Sequence, residues 1–281
     1  MSTQPIMNTI LTAKAQRFAE LHRAPGAFLI ANAWDVASAR ILEGLGFPAL
    51  ATSSGAAAAL LGRRDGQITR DEALAQASAM TAATSVPFAG DLENGFGHAP
   101  ADAALTIRRA AEAGLVGGSI EDASNDPARP IYDFNHAVER VAAAVEAARA
   151  MPFPFTLTAR AENFLNGRPD LDDTLKRLQA FERAGADVLF APGLPDLAAV
   201  RAVCAAVTRP VNFMVGIRGA SFSTAELEAA GVKRISLASS LFRAAMSGLI
   251  AAAREAREQG TFTYLDRILA TSDIHQVMRT P

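Results

Sequence analysis

An eight-stranded parallel α/β barrel, the (β/α)8 or TIM arrangement, is the fold this sequence predicts, on three observations. Short β-branched or aromatic runs alternate with longer Ala/Leu/Arg/Glu stretches of helical period, about eight times over. Most of the short runs are continuously apolar, as strands covered on both faces must be. The 281 residues suffice for one such barrel, which takes roughly 250. A single domain over 1–281 is expected, since no linker, low-complexity tract or charge block divides the chain.

A leading helix over about 9–23 comes first. The strands follow as AFLIANAW (27–34), PALATSS (48–54), PFAGDLE (87–93), VGGSIED (116–122), FTLTARA (155–161), DVLFAP (187–192), PVNFMV (210–215) and RISLAS (234–239). Helix starts are marked by Thr69 with Glu72 and by Ser223 with Glu226, each a hydroxyl and a carboxylate three apart that satisfy one another's free amides. Gly114, Gly185 and Gly231 stand at helix ends, where a left-handed residue turns the chain into the next strand. A long Ala-rich helix, about 240–258, follows the eighth strand.

Composition narrows the function. Hydrophobic residues are 50% and charged residues 20%, with a net charge of -2, so a sizeable core is expected and no basic footprint for nucleic acid. The opening segment has no secretion-signal pattern and no apolar run spans a bilayer, which predicts a cytoplasmic protein without a membrane partner. The one cysteine, Cys204, lies in LAAVRAVCAAV and reads as a small buried hydrophobe.

In a barrel of this kind chemistry gathers where strands end and loops begin. Asp91 and Glu93 follow strand three, Glu121 and Asp122 strand four, and Arg160 and Glu162 belong to strand five. Residues two apart on a strand share a face, so Asp91 and Glu93 are expected side by side. Such carboxylates repel unless a cation separates them, and oxygen ligands suit Mg2+ or Mn2+. Glu121 would complete that site directly or through water; the structural alternative is a set of salt-bridged loop carboxylates. Arg160, inside an apolar run, either pairs with Glu162 or Glu121 or clamps a substrate carboxylate. The Ser53-Ser54-Gly55 turn offers amides and hydroxyls to a carboxylate. Asn212 either reaches the barrel mouth or bonds a neighbouring loop. His98 is a candidate proton carrier, whereas His22, His136 and His275 carry no signal.

The segments NAWDVASARILEGLGFPALATSSG, LGRRDG, GDLENGFG, GGSIED, LTARAENF and RAGADVLFAPG together resemble the isocitrate lyase / phosphoenolpyruvate mutase superfamily, in its order and spacing, over roughly 27 to 240. The resemblance implies a barrel with a swapped last helix, homodimers or homotetramers, and a Mg2+ site that holds a small 2-oxo carboxylate or its enolate. Asp91 then matches the metal-side aspartate, helped by Glu93 and Glu121. Arg160 matches the substrate-binding arginine, Ser53 to Gly55 the turn that binds the substrate carboxylate, and Asp65 the aspartate of the loop after strand two. Glu93 stands where many members have aspartate. The loop DASNDPARPIYDFN after Glu121 lacks the Lys-Lys/Arg-Cys-Gly-His stretch of the family's isocitrate and methylisocitrate lyases, and also the lysine and Asn-Ser pair of its phosphonate enzymes.

The expected activity is a Mg2+-dependent carbon-carbon lyase for a small 2-hydroxy or 2-oxo di- or tricarboxylate, working through a metal-stabilised enolate. Without the family cysteine, Tyr132, Asp65 or a water are the candidate proton donors, though Tyr132 also reads as a packing aromatic. The alternatives are a mutase-type phosphonate enzyme and a barrel that binds a 2-oxo acid without turnover.

Overall fold

In the computed structural model, which describes residues 4–278, eight parallel strands close in sequence order. They are β1 (Phe28–Asn32), β2 (Leu50–Ala51), β3 (Phe88–Asp91), β4 (Gly117–Glu121), β5 (Thr156–Arg160), β6 (Val188–Phe190), β7 (Val211–Met214) and β8 (Arg234–Ser236). Each lies inside its expected run; residues 1–3 and 279–281 of the expected domain fall outside the described residues. β2 is trimmed most, because Ser53 accepts the Ala56 amide and starts a helix at once.

The helices are α1 (Gln4–Arg23), α2 (Val36–Gly44), α3 (Ser54–Leu60), α4 (Arg70–Ala83), α5 (Pro100–Glu112), α6 (Phe134–Arg149), α7 (Leu171–Arg183), α8 (Leu197–Ala206), α9 (Thr224–Ala229), α10 (Ser240–Arg254) and α11 (Thr271–Val277). Both expected capping boxes form, at Thr69–Glu72 and Ser223–Glu226. Cys204 sits half-buried on α8, where burial raises its thiol pKa to about 11. No described helix is long and apolar enough to cross a membrane.

The N-terminal end of the barrel is plugged by α1. Its Phe18 is fully buried against Gly117, where a Cβ would stand 2.8 Å from the ring. One turn later His22, 8% exposed, donates from Nδ1 to the Phe18 carbonyl at 2.8 Å, so its Nε2 is the acceptor facing Arg234 Nη1 at 3.3 Å. Burial, then the charge of Arg234, lowers the His22 pKa to about 3. The unfolded chain takes up that proton near pH 6.5. Between these values the unfolded state binds more protons, so stability falls as pH falls, by about 1.4 kcal/mol per unit for this group. His22→Gln is expected to flatten the pH dependence of the urea midpoint between pH 6.5 and 4. Parallel profiles for variant and parent would remove His22 as the cause.

α10 leaves the barrel instead of filling the eighth slot of the helical ring. Ring packing of Phe242 on Trp34 (5.5 Å) holds its first turn, but no α10 residue is buried, and Leu249 and Ile250 are 60% and 50% exposed. The chain then returns to lay α11 on α2, so closely that any side chain at Gly44 would overlap the Val277 carbonyl.

Candidate active site

A cavity of about 200 Å³ opens at the C-terminal ends of the strands. Seven residues picked out by sequence line it: Ser53, Ser54, Gly55, Asp65, Asp91, Arg160 and Asn212. Glu93, Glu121 and Tyr132 do not line it.

Arg160 is the hub. Its Nη1 meets Asp91 Oδ1 at 2.9 Å, Nη2 meets Glu121 Oε2 at 3.2 Å, and Nε meets Glu162 Oε1 at 2.8 Å. Every nitrogen of the guanidinium is thus matched by a carboxylate, so in this structure the arginine holds the acidic cluster together. Burial alone would lower its pKa; Glu162, Glu121 and Asp91 outweigh burial and hold it above its ordinary value. Glu162 is fixed from behind, its amide donating to Asp122 Oδ1 at 2.8 Å, while Arg177 pairs with Asp122 Oδ2 at 3.0 Å and Asp173 Oδ2 at 2.8 Å.

Asp91 Oδ2 also accepts the Ser54 amide at 3.0 Å, so the turn expected to bind a substrate carboxylate already binds one of the protein's own. The pairing of Asp91 with Glu93 on one strand face does not hold. β3 ends at Asp91, and Glu93 lies beyond it with φ 48 in the left-handed region, so alternation no longer governs where its side chain goes. Glu93 is nevertheless drawn inward, 6% exposed, and its buried Oε1 has no partner. Burial, then Asp91 and Asp65, raises its pKa to about 8. Burial likewise holds Glu121 well above the usual carboxylate range, against the pull of Arg160.

The expected three-carboxylate ion cage is not formed. Among the described residues no three His, Cys, Asp or Glu side chains are arranged to enclose an ion, because Asp91 and Glu121 both turn to Arg160. The donors still fit a hard cation in kind: all are oxygens, they repel one another, and one buried oxygen is orphaned.

Asp65 comes from the exposed loop between α3 and α4 and covers Gly55, where a Cβ would stand 3.2 Å from its Oδ2. Burial, then Asp91, raises its pKa. Tyr132 points elsewhere. Its hydroxyl lies 2.7 Å from His98 Nδ1 and accepts from Asn94 Nδ2 at 3.3 Å, with the Arg140 guanidinium 4.5 Å from its ring centroid. The loop bearing it is tied down by a bridge from Ala123 to Ile131. Asn212 reaches the cavity and is oriented by Arg234, whose Nε donates to Oδ1 at 2.8 Å; its Nδ2 donates to Ser236 Oγ at 3.0 Å.

Sequence reasoning missed Arg234, Thr158 and Ser236, which also line the cavity. A period-two reading of RISLAS, with Arg234 and Ser236 on one face, was the available signal.

The phosphoenolpyruvate phosphomutase family profile matches residues 18–257. The chain is 32% identical over 248 residues to an oxaloacetate decarboxylase of Paraburkholderia xenovorans (strain LB400), covering 85% of this chain and 80% of that one. It is 32% identical over 216 residues to the 2-methylisocitrate lyase of Escherichia coli (strain K12), covering 73% and 72%. The crystal structure of a candidate lyase/mutase from Burkholderia cenocepacia J2315 superposes with a TM-score of 0.94 at 50% identity, over 97% of this chain and 98% of that one.

Proposed function

The chain belongs to the phosphoenolpyruvate mutase / isocitrate lyase superfamily, an enzyme of its lyase and mutase kind, and from that premise we propose a divalent-metal-dependent carbon-carbon lyase. Its substrate is a small 2-hydroxy or 2-oxo dicarboxylate or tricarboxylate. The observation that supports this reading is the acidic cluster around Arg160, where Asp91, Glu93, Glu121, Glu162 and Asp65 outnumber the one arginine paired among them. Asp91, Glu93 and Glu121 would hold Mg2+ or Mn2+. When bound, the ion offsets the negative charge that develops beside a carbonyl as the neighbouring bond breaks.

The chain's own groups supply the remainder. The Ser54 amide keeps the Asp91 carboxylate at the mouth, and Arg160 restrains Asp91 and Glu121 until an anionic substrate competes for it. Asp65, which lines the cavity and has its pKa raised by burial, would carry a proton. Tyr132, its hydroxyl engaged by His98 and Asn94 outside the cavity, is the less direct donor. Purified protein with Mg2+ is expected to release pyruvate, glyoxylate or CO2 from a panel of oxaloacetate, substituted malates and citrates, and to stop on chelation. No product from any of them would end the lyase reading. The family profile and the 50% identical structure keep a phosphonate mutase as the second reading; phosphorus NMR of phosphoenolpyruvate and phosphonopyruvate tests it.

The exposed apolar residues Leu249 and Ile250 of α10, with Leu265 and Leu269 of the segment that follows it, are half or more uncovered, which supports assembly through an exchanged helix into dimers or tetramers. Light scattering is expected to give at least twice the chain mass, and Leu249→Asp with Ile250→Asp to lower it. A monomeric parent would end this reading.

A further inference from the structure

The bore beneath the mouth is polar, where barrels of this kind are ordinarily packed with branched apolar side chains. Arg160, Phe190, Asn212 and Arg234 follow one another along the hydrogen-bonded row that crosses β5, β6, β7 and β8, and all four face the same cavity. The two arginines are in opposite circumstances. Arg160 is matched by three carboxylates. Among the described residues Arg234, 6% exposed, hydrogen-bonds neutral groups: Asn212 Oδ1 at 2.8 Å, Thr158 Oγ1 at 3.0 Å and His22 Nε2 at 3.3 Å. His22 is itself held neutral by its burial, and among the described residues no acidic side chain pairs with Arg234.

Burial, then the charge of Arg160, lowers the Arg234 pKa to about 9, so it remains a cation at neutral pH. A buried guanidinium without a counter-charge is strongly unfavourable. This one adjoins a cavity through which an anion could reach it, beside the hydroxyls of Ser119, Thr158 and Ser236. Those hydroxyls, with the guanidinium fork, supply the donors a carboxylate needs.

We propose that Arg234 forms the floor of a second anion subsite, which takes the far carboxylate of a dicarboxylate whose 2-oxo or 2-hydroxy end lies at Asp91 and Arg160. This rests on the substrate reading given above for the mouth. Arg234 is then the residue that separates dicarboxylates from monocarboxylates of the same chain.

The test is calorimetric binding to the full chain, with Mg2+, of two ligand pairs that differ only in the far carboxylate: 2-oxoglutarate against 2-oxobutyrate, and malate against lactate. The parent is expected to prefer the dicarboxylate by about tenfold or more in at least one pair. In Arg234→Met that ratio is expected to fall to within about twofold. Arg234→Gln, which keeps a polar head for Asn212 and Thr158, is expected to behave alike and serves if the methionine variant does not fold. A ratio alone is read, so a purely structural role for Arg234 would not move it. An unchanged ratio in either folded variant, or a parent that binds both members of each pair equally, overturns the subsite while leaving the mouth reading in place. Failure of every ligand to bind overturns both, and the monocarboxylates identify that case.

Discussion

Asp91→Asn is expected to lower kcat/KM by about 100-fold to 1,000-fold, equivalent to about 2.7–4 kcal/mol of barrier. Asp91 is the acidic side chain that both lines the cavity and joins its parts, accepting from Arg160 Nη1 at 2.9 Å and from the Ser54 amide at 3.0 Å. Asparagine keeps the shape and one acceptor oxygen but removes the charge that a divalent ion needs, and its amide would turn a donor toward Arg160 or Ser54. The loss should therefore fall on the metal-dependent step, with kcat reduced at saturating Mg2+ and the metal concentration for half-maximal rate raised. The measurement is steady-state kinetics over a Mg2+ series with whichever panel substrate yields product, beside thermal unfolding of the same samples. A reduction below tenfold at saturating metal would take Asp91 off the reaction path.

How far the sequence reached follows from which signals are local. The apolar runs and the glycines that end helices are local, and Gly114, Gly185 and Gly231 take φ values of 87°, 102° and 96° as expected. The convergence of Asp91, Glu121 and Arg160 was legible at one remove, because parallel strands in sequence order make the ends of β3, β4 and β5 neighbours. Glu93 was misread, since counting by twos assumes that the strand continues, and β3 stops at Asp91. Glu162 and Glu121 were foreseen as alternatives to a substrate for Arg160 and Asp91 was not; that all three would bind it at once depends on side-chain reach and burial. Arg234 was missed for a different reason: alternation along RISLAS could place it on the inner face, but its partners His22, Thr158 and Asn212 lie as many as 212 positions away. The departure of α10 was legible only through the family resemblance, which implied a swapped last helix, because an apolar helix face by itself looks the same whether its partner is the barrel or another surface.

Arg160→Met should cost about 3–5 kcal/mol of stability near neutral pH, the usual consequence of removing one side of a buried ionic network. Methionine fills much of the volume, so the loss is electrostatic. Asp91, Glu121 and Glu162, with side chains 20%, 12% and 4% exposed, are left without their cation. Glu121 and Glu162 already have pKa values raised by burial, opposed by Arg160, and deleting the arginine raises both further. A carboxyl whose pKa is raised by folding contributes stability that is present below its unfolded value and is lost as pH rises through its folded value. The urea midpoint of the variant should therefore fall more steeply than that of the parent from pH 5 to pH 8, and the two proteins should be closest at pH 5. Mg2+ supplies a replacement charge, so it should raise the midpoint of the variant more than that of the parent if these carboxylates accept the ion. Arg160→Lys should lie between them, since it keeps the charge but cannot reach three carboxylates with one fork. A methionine variant equally stable at both pH values would mean that the cluster is solvated, and the tight pairing around Arg160 would then have no energetic weight.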